Sequence, residues 1–145
     1  MKNLIIIGIC VFQIAASPYS GIDPANEYVG FSISLKEKSV KAGGSGTLLI
    51  SLQPQKGIHV NVNPPITIAF DSSDIVAPVG KLEIPRIDTL LNTSKPIKQT
   101  IRVSRQVKSG TAAIKGTITY FYCSESEGWC SRFKQPFDVA IKVKK

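Results

Sequence analysis

The chain has 145 residues, with 18 basic against 10 acidic side chains and a formal net charge of +8. This length suits one domain with a single core. The basic residues are scattered, and no basic stripe is interleaved with aromatic residues, which argues against a nucleic-acid-binding protein. There is one histidine and no Gly-x-Ser-x-Gly, phosphate-binding glycine loop or paired-histidine metal motif, which argues against a hydrolase.

Residues 1–16 have the composition of a secretory signal peptide. Lys2 provides the positive start, residues 4–14 form an apolar run, and Ala15 and Ala16 are small residues suited to cleavage. The run is shorter than the about 20 apolar residues of a membrane-spanning helix, so a cleaved signal is favoured over a retained anchor. We therefore expect a periplasmic or secreted domain of residues 17–145, with no membrane insertion after cleavage.

The remaining chain predicts β-strands separated by turns rich in glycine and proline. Segments of alternating or β-branched apolar residues predict strands, and no window has a helical period with capping residues. Residues 85–96 are predicted as a loop. The pattern predicts an all-β, immunoglobulin-like antiparallel β-sandwich, with a small barrel as the alternative. The predicted strands are 29–35, 47–53, 58–62, 66–70, 97–107, 111–123 and 137–144, with 75–79 and 81–84 as edge strands.

Cys123 and Cys130 are the only cysteines outside the signal, since Cys10 lies within it. They follow the predicted strand 111–123 and are separated by a polar turn. In an oxidising compartment they would form either a structural staple or a working redox pair. Closing so short a loop stabilises by roughly 2.5 kcal/mol, and a conventional sandwich staple instead joins cysteines far apart in sequence. The local placement favours thiol–disulfide exchange over a protein-binding module with a structural disulfide.

The side chains around the pair are candidates for contact with a partner. Tyr120, Tyr122 and Trp129 are placed to shield the sulfurs or to form a docking surface, and His59 on its own predicted strand is a further candidate. The two cysteines and His59 have the chemistry of metal ligands, but six residues between the cysteines exceed the usual zinc-site spacing. We therefore predict no metal and no cofactor.

The run from Thr117 to Cys123, followed by Gly128, Trp129 and Cys130, resembles the N-terminal periplasmic (alpha) domain of the thiol:disulfide interchange protein DsbD. In that family a strand ends in a cysteine, a short turn with a glycine and an aromatic residue follows, and a second cysteine closes it. The likeness extends through residues 97–110 and more loosely to residues 57–60. Only the cysteine segment is specific.

The resemblance implies an immunoglobulin-like domain that passes electrons between thioredoxin-like proteins, one acting as donor and one as acceptor. Cys123 and Cys130 would be the redox pair, and Cys123 is expected to form the mixed disulfide. Three features depart from the family. The membrane channel and the thioredoxin-like domain would have to be separate proteins, and the cysteine spacing is slightly longer. The family's aromatic cap loop maps to residues 77–92, where no aromatic residue occurs.

Overall fold

The computed structural model describes residues 25–145, so the predicted signal peptide and Cys10 lie outside the described residues. Within the described range the chain forms strands and no helix, and therefore no helix long and apolar enough to cross a membrane. The strands are β1 (Val29–Leu35), β2 (Val40–Lys41), β3 (Ser45–Pro54), β4 (Ile58–Asn61), β5 (Thr67–Phe70), β6 (Val76–Glu83), β7 (Arg86–Ile87), β8 (Leu90–Leu91), β9 (Ile97–Val103), β10 (Gly110–Ser124) and β11 (Trp129–Lys144).

The strands form two sheets with the core between them. One sheet has the order β1-β3-β9-β6, and the other has the order β2-β11-β10-β4-β8-β7, with β5 also pairing with β10. Every second side chain of β3, β9 and β10 is buried, because successive side chains of a strand point to opposite faces. Leu48, Ile101 and Ile118 have no accessible surface. The predicted immunoglobulin-like β-sandwich is confirmed.

Several strand boundaries differ from those predicted. The last strand, β11, begins at Trp129 and not at Phe137, because it pairs with β10 along the whole length of that strand. The predicted edge strands 75–79 and 81–84 form one strand, β6, with one irregularity in its pairing with β9. The predicted loop 85–96 contains the short strands β7 and β8, which extend the second sheet beyond β4.

One pair departs from the predicted antiparallel arrangement, because β2 runs parallel to β11 with Val40 opposite Val143. Before this contact, the outer edge of β11 pairs with no other strand of the described chain. Open edges invite pairing with other chains, and charged side chains and proline discourage it. Arg132, Lys134 and Pro136 lie on this stretch of β11 and therefore protect the edge.

The central strand β10 positions the cysteine pair. One side of β10 pairs with β11, and the other side pairs first with β5, over residues 116–119, and then with β4, over residues 121–124. Cys123 consequently lies between His59 of β4 and Cys130 of β11, on three neighbouring strands.

Candidate functional site

Cys123 and Cys130 form a disulfide between directly opposite residues of β10 and β11. Their Cα atoms are 4.0 Å apart, the close spacing of a non-hydrogen-bonded pair in an antiparallel ladder. The disulfide stays within one sheet, at the end of the hairpin where the chain turns. It therefore does not join the two layers of the sandwich.

The two cysteines differ in their access to solvent. Cys123 is 6% exposed because β4 and β11 flank it on both sides, whereas Cys130 lies on the open edge strand and is exposed. Exchange begins when a thiolate attacks a sulfur that it can reach. The exposure therefore favours Cys130 as the attacked residue, against the expectation that Cys123 forms the mixed disulfide.

The three aromatic residues predicted to shield or dock lie on the sheet face opposite to the disulfide. Tyr120 and Tyr122 are 0% and 6% exposed and belong to the core. Trp129 is half-buried, and its ring packs edge-on against Tyr28 and Tyr122, with centroids 5.2 and 5.8 Å apart. These rings hold the hairpin end onto the core beneath the disulfide. Only Trp129 keeps enough exposure to meet a partner.

The face that carries the disulfide also carries a row of side chains across five strands. Residues paired in register point to the same side of a sheet, and the pairing places Ile87, Leu90, Asn61, Phe121 and Arg132 in one row. Ile87 is 59% exposed, and Leu90 and Phe121 are half-buried. The apolar members of this row lie near the disulfide on the same face and are accessible to a protein partner.

Two polar side chains of β4 lie beside the disulfide. Asn61 donates a hydrogen bond from Nδ2 to Sγ of Cys123, at 2.9 Å. His59 lies opposite Cys123 in the ladder, and its Nδ1 is 3.4 Å from Oε1 of Glu125. This contact lacks hydrogen-bond geometry and becomes an ion pair only when the imidazole is protonated.

The turn between the cysteines is held by several backbone hydrogen bonds. The amide of Gly128 donates to the carbonyl of Ser124 at 3.0 Å, and the amide of Glu125 donates to the carbonyl of Gly57 at 3.4 Å. Gly128 has a φ of 68°, in the left-handed region that glycine adopts without strain. The carboxylate of Glu127 accepts a hydrogen bond from the indole of Trp129. Cys130 thus follows an ordered turn as the second residue of β11.

The surroundings of the disulfide offer little room for a small ligand. Among residues 25–145, no three Cys, His, Asp or Glu side chains gather where they could hold a metal ion. A shallow cavity of about 160 Å³ lies beside the turn, between Tyr28, Lys56 and Trp129. Small-molecule sites usually measure roughly 300–1,000 Å³. The chemistry that this surface offers is that of an accessible sulfur.

The hydroxyl group of Tyr120 is buried beneath the site and accepts a hydrogen bond from Nδ2 of Asn26 at 2.9 Å. Burial raises the pKa of Tyr120 from 10.0 to about 12, opposed by the Asn26 hydrogen bond and reinforced by the neighbouring Tyr122. The neutral phenol is therefore favoured in the folded protein.

The raised pKa of Tyr120 predicts a loss of stability in alkali. The unfolded chain releases this proton near pH 10 while the folded chain retains it to about pH 12. The contribution of Tyr120 to the free energy of unfolding is therefore fully present below pH 10. About 2–3 kcal/mol of that free energy is lost as the pH rises through 12. Denaturant titrations across this interval should show a smaller loss for Tyr120→Phe than for the wild type. An equal loss in both proteins would contradict the assignment.

Asn61, Phe121 and Ile87 were not among the site residues predicted from the sequence. Asn61 lies two residues after His59, and Phe121 lies two residues before the first cysteine of the pair. The two-residue period of a strand therefore indicated both positions. No such signal existed for Ile87, because it lies in the segment predicted as a loop.

The fold and the site define an immunoglobulin-like β-sandwich with a disulfide on its surface. No family model matches the chain, and no curated protein is similar enough to count as a relative. Among solved structures, the chain is similar to the GAE domain of yeast GGA1 (13% identity, 79% of this chain and 95% of that chain, TM-score 0.39). It is also similar to the ZirS C-terminal domain (15% identity, 99% of this chain and 95% of that chain, TM-score 0.35). Likenesses this distant carry no information on function.

Proposed function

We propose that this protein is an exported thiol–disulfide exchange protein, which relays electrons between thioredoxin-like partners through Cys123 and Cys130. The observation that carries the proposal is the disulfide between one exposed and one buried cysteine, on the solvent face of a sheet. Exchange requires one sulfur that a partner can attack and a second that can leave. The proposed setting is the periplasm or the exterior, where such a disulfide persists.

The position of the disulfide supports use in exchange more than use as a staple. Its two residues are already opposite each other in a ladder that pairs every residue of β10 with β11. The disulfide closes a loop of about eight residues, for which the chain-entropy model gives roughly 2.5 kcal/mol. It adds no connection between the sheets, and two buried apolar clusters pack the core independently of it.

The proposed step conserves atoms and electrons. A partner thiolate attacks Sγ of Cys130, a bond forms between these sulfurs, and the bond to Cys123 breaks with its electron pair left on Sγ of Cys123. The second thiolate of the partner then attacks the partner's first sulfur, which is bonded to Cys130, and releases Cys130 as a thiolate. Two electrons have moved to this protein, which takes up two protons, and the partner is left with a disulfide. The reverse sequence delivers electrons to an acceptor.

The surface beside the disulfide fits a protein partner. A thioredoxin-like protein must bring its cysteine against Cys130, so it also covers the residues next to the disulfide on the same face. Ile87, Leu90 and Phe121 provide accessible apolar area there. Burial of apolar area stabilises association at about 25 cal/mol per Å² before the costs of docking are counted.

A redox titration of the purified protein against dithiothreitol tests the proposal. We expect a reduction potential above about −300 mV, because structural disulfides lie below that value. Reduced thioredoxin should also reduce the disulfide. The reaction can be followed by the fluorescence of Trp129, the one tryptophan of the sequence, which precedes Cys130. A potential below about −300 mV without reduction by thioredoxin would identify a structural disulfide and favour a protein-binding module instead.

A further inference from the structure

We propose that Asn61 determines which sulfur leaves, because it stabilises the thiolate that Cys123 becomes when Cys130 is attacked. The inference rests on the proposed exchange function for its purpose, but it concerns the chemistry of the disulfide and is testable without any protein partner. It starts from the hydrogen bond of 2.9 Å between Nδ2 of Asn61 and Sγ of Cys123.

The orientation of the Asn61 amide follows from its acceptor. A disulfide sulfur has no proton to donate, so only the amino group of the asparagine can form a hydrogen bond with it. The backbone of Asn61 is held on both sides, opposite Phe121 of β10 and opposite Leu90 of β8. The next amide, that of Val62, donates to the carbonyl of Thr89 at 3.0 Å. The donor is therefore in place before any reaction begins.

The same hydrogen bond gains strength as the disulfide breaks. A neutral disulfide sulfur is a weak acceptor, whereas hydrogen bonds to an ionised acceptor are roughly twice as strong as neutral ones. When the electron pair of the broken bond moves onto Sγ of Cys123, Asn61 faces a full negative charge. An interaction that is stronger in the transition state than in the ground state accelerates the step.

The two sulfurs are unequal in this respect. No side chain within residues 25–145 donates a hydrogen bond to Sγ of Cys130, which lies on the exposed edge strand. Attack on Cys130 places the developing charge next to the Asn61 donor, and attack on Cys123 places it where no such donor lies. The hydrogen bond and the difference in exposure therefore favour the same direction of opening.

The first test measures the rate at which dithiothreitol reduces the disulfide in Asn61→Ala, in Asn61→Asp and in the control Asn92→Ala. The side chain of Asn92 bonds only to Ser94 in an exposed turn, where Oδ1 accepts from the amide and the hydroxyl of Ser94. We expect Asn61→Ala to react about tenfold more slowly than the wild type, as loss of a charge-assisted hydrogen bond predicts. Asn61→Asp should be slower still, because its carboxylate repels the thiolate, and Asn92→Ala should match the wild type.

The second test separates stabilisation of the thiolate from an effect on packing. In a Cys10→Ser/Cys130→Ser background, the ultraviolet absorbance of the Cys123 thiolate is followed against pH. Adding Asn61→Ala should move the midpoint of the Cys123 thiolate titration to higher pH. The fraction of thiolate near neutral pH then falls about tenfold. A merely structural role for Asn61 would leave this midpoint unchanged.

An unchanged midpoint, or an unchanged dithiothreitol rate in Asn61→Ala, overturns the inference. If both change as expected while thioredoxin fails to reduce the wild type, the role of Asn61 stands and the proposed function fails. If thioredoxin reduces the wild type and Asn61→Ala equally fast, the function stands and the role of Asn61 fails.

Discussion

A variant with serine at Cys123 should be captured by a thioredoxin-like partner as a stable mixed disulfide much faster than a variant with serine at Cys130. The remaining sulfur of the first variant, Cys130, is exposed, whereas that of the second, Cys123, is 6% exposed and lies between two strands. Exchange needs the attacking sulfur to approach in line with the disulfide bond that it breaks, so access to that sulfur decides the yield. We expect at least about a tenfold difference in initial rate.

The capture experiment uses a thioredoxin that lacks its resolving cysteine and carries an activated disulfide on the other. Each variant is made in a Cys10→Ser background, so that one thiol remains per chain. Non-reducing electrophoresis then measures the adduct over time. The variant with both Cys123→Ser and Cys130→Ser should give no adduct. Equal rates for the two single-thiol proteins would show that exposure does not direct the exchange, and faster capture through Cys123 would reverse the assignment.

Loss of the disulfide should leave the fold intact, so the capture rates compare folded proteins. The chain-entropy model assigns roughly 2.5 kcal/mol to a loop of this size, and small domains typically have 5–15 kcal/mol of stability. The rings of Tyr28, Tyr122 and Trp129 remain packed beneath the site. Near-ultraviolet circular dichroism of each variant checks that this packing persists.

Much of the sandwich could be predicted because a strand that is buried on one face has an alternating pattern of apolar residues in its own sequence. In β3, the buried residues Leu48, Ile50 and Leu52 alternate with less buried ones, and β10 alternates over most of its length. A period of two residues identifies a half-buried strand without knowledge of its neighbours. The fold class follows once enough such segments are found between turns.

The first half of β11 has no such alternating pattern. Its residues include Arg132, Lys134 and Pro136 on the solvent face, and Gln135 among the buried positions, so no apolar alternation marks a strand. This segment is a strand because β10 lies beside it, which is information from elsewhere in the chain. The short strands β7 and β8 were missed for the same reason.

The candidate site was predictable only in part. The pairing of the two cysteines followed from their number, but their unequal exposure depends on which strand lies at the edge of the sheet. The donor Asn61 reaches Cys123 across 62 positions of sequence. Such contacts depend on the register between paired strands. The register cannot be predicted from one sequence when both faces of a strand carry a mixture of polar and apolar residues.

Gly116→Ala should cause a large loss of stability, because β10 has no room for a side chain at that position. A Cβ there would overlap the carbonyl oxygen of Ala69 on β5 and would lie 2.7 Å from Cζ of Phe137 on β11. Neither neighbour can withdraw easily. The carbonyl belongs to a strand paired with β10, and the ring of Phe137 is 4% exposed and packs edge-on against Phe70, with centroids 5.8 Å apart.

We expect Gly116→Ala to lower the free energy of unfolding by about 3 kcal/mol, the upper part of the range for overpacking a core. Denaturant titration measures it, with Gly30→Ala as the matched control. Gly30 also lies in a strand, but its nearest neighbours would be 3.5 Å from a Cβ, so the control should change stability by less than about 1 kcal/mol. Adding Phe137→Leu to Gly116→Ala should restore little, because the overlap with the Ala69 carbonyl remains. Similar stabilities for Gly116→Ala and Gly30→Ala would show that β5 and β10 are not in such close contact.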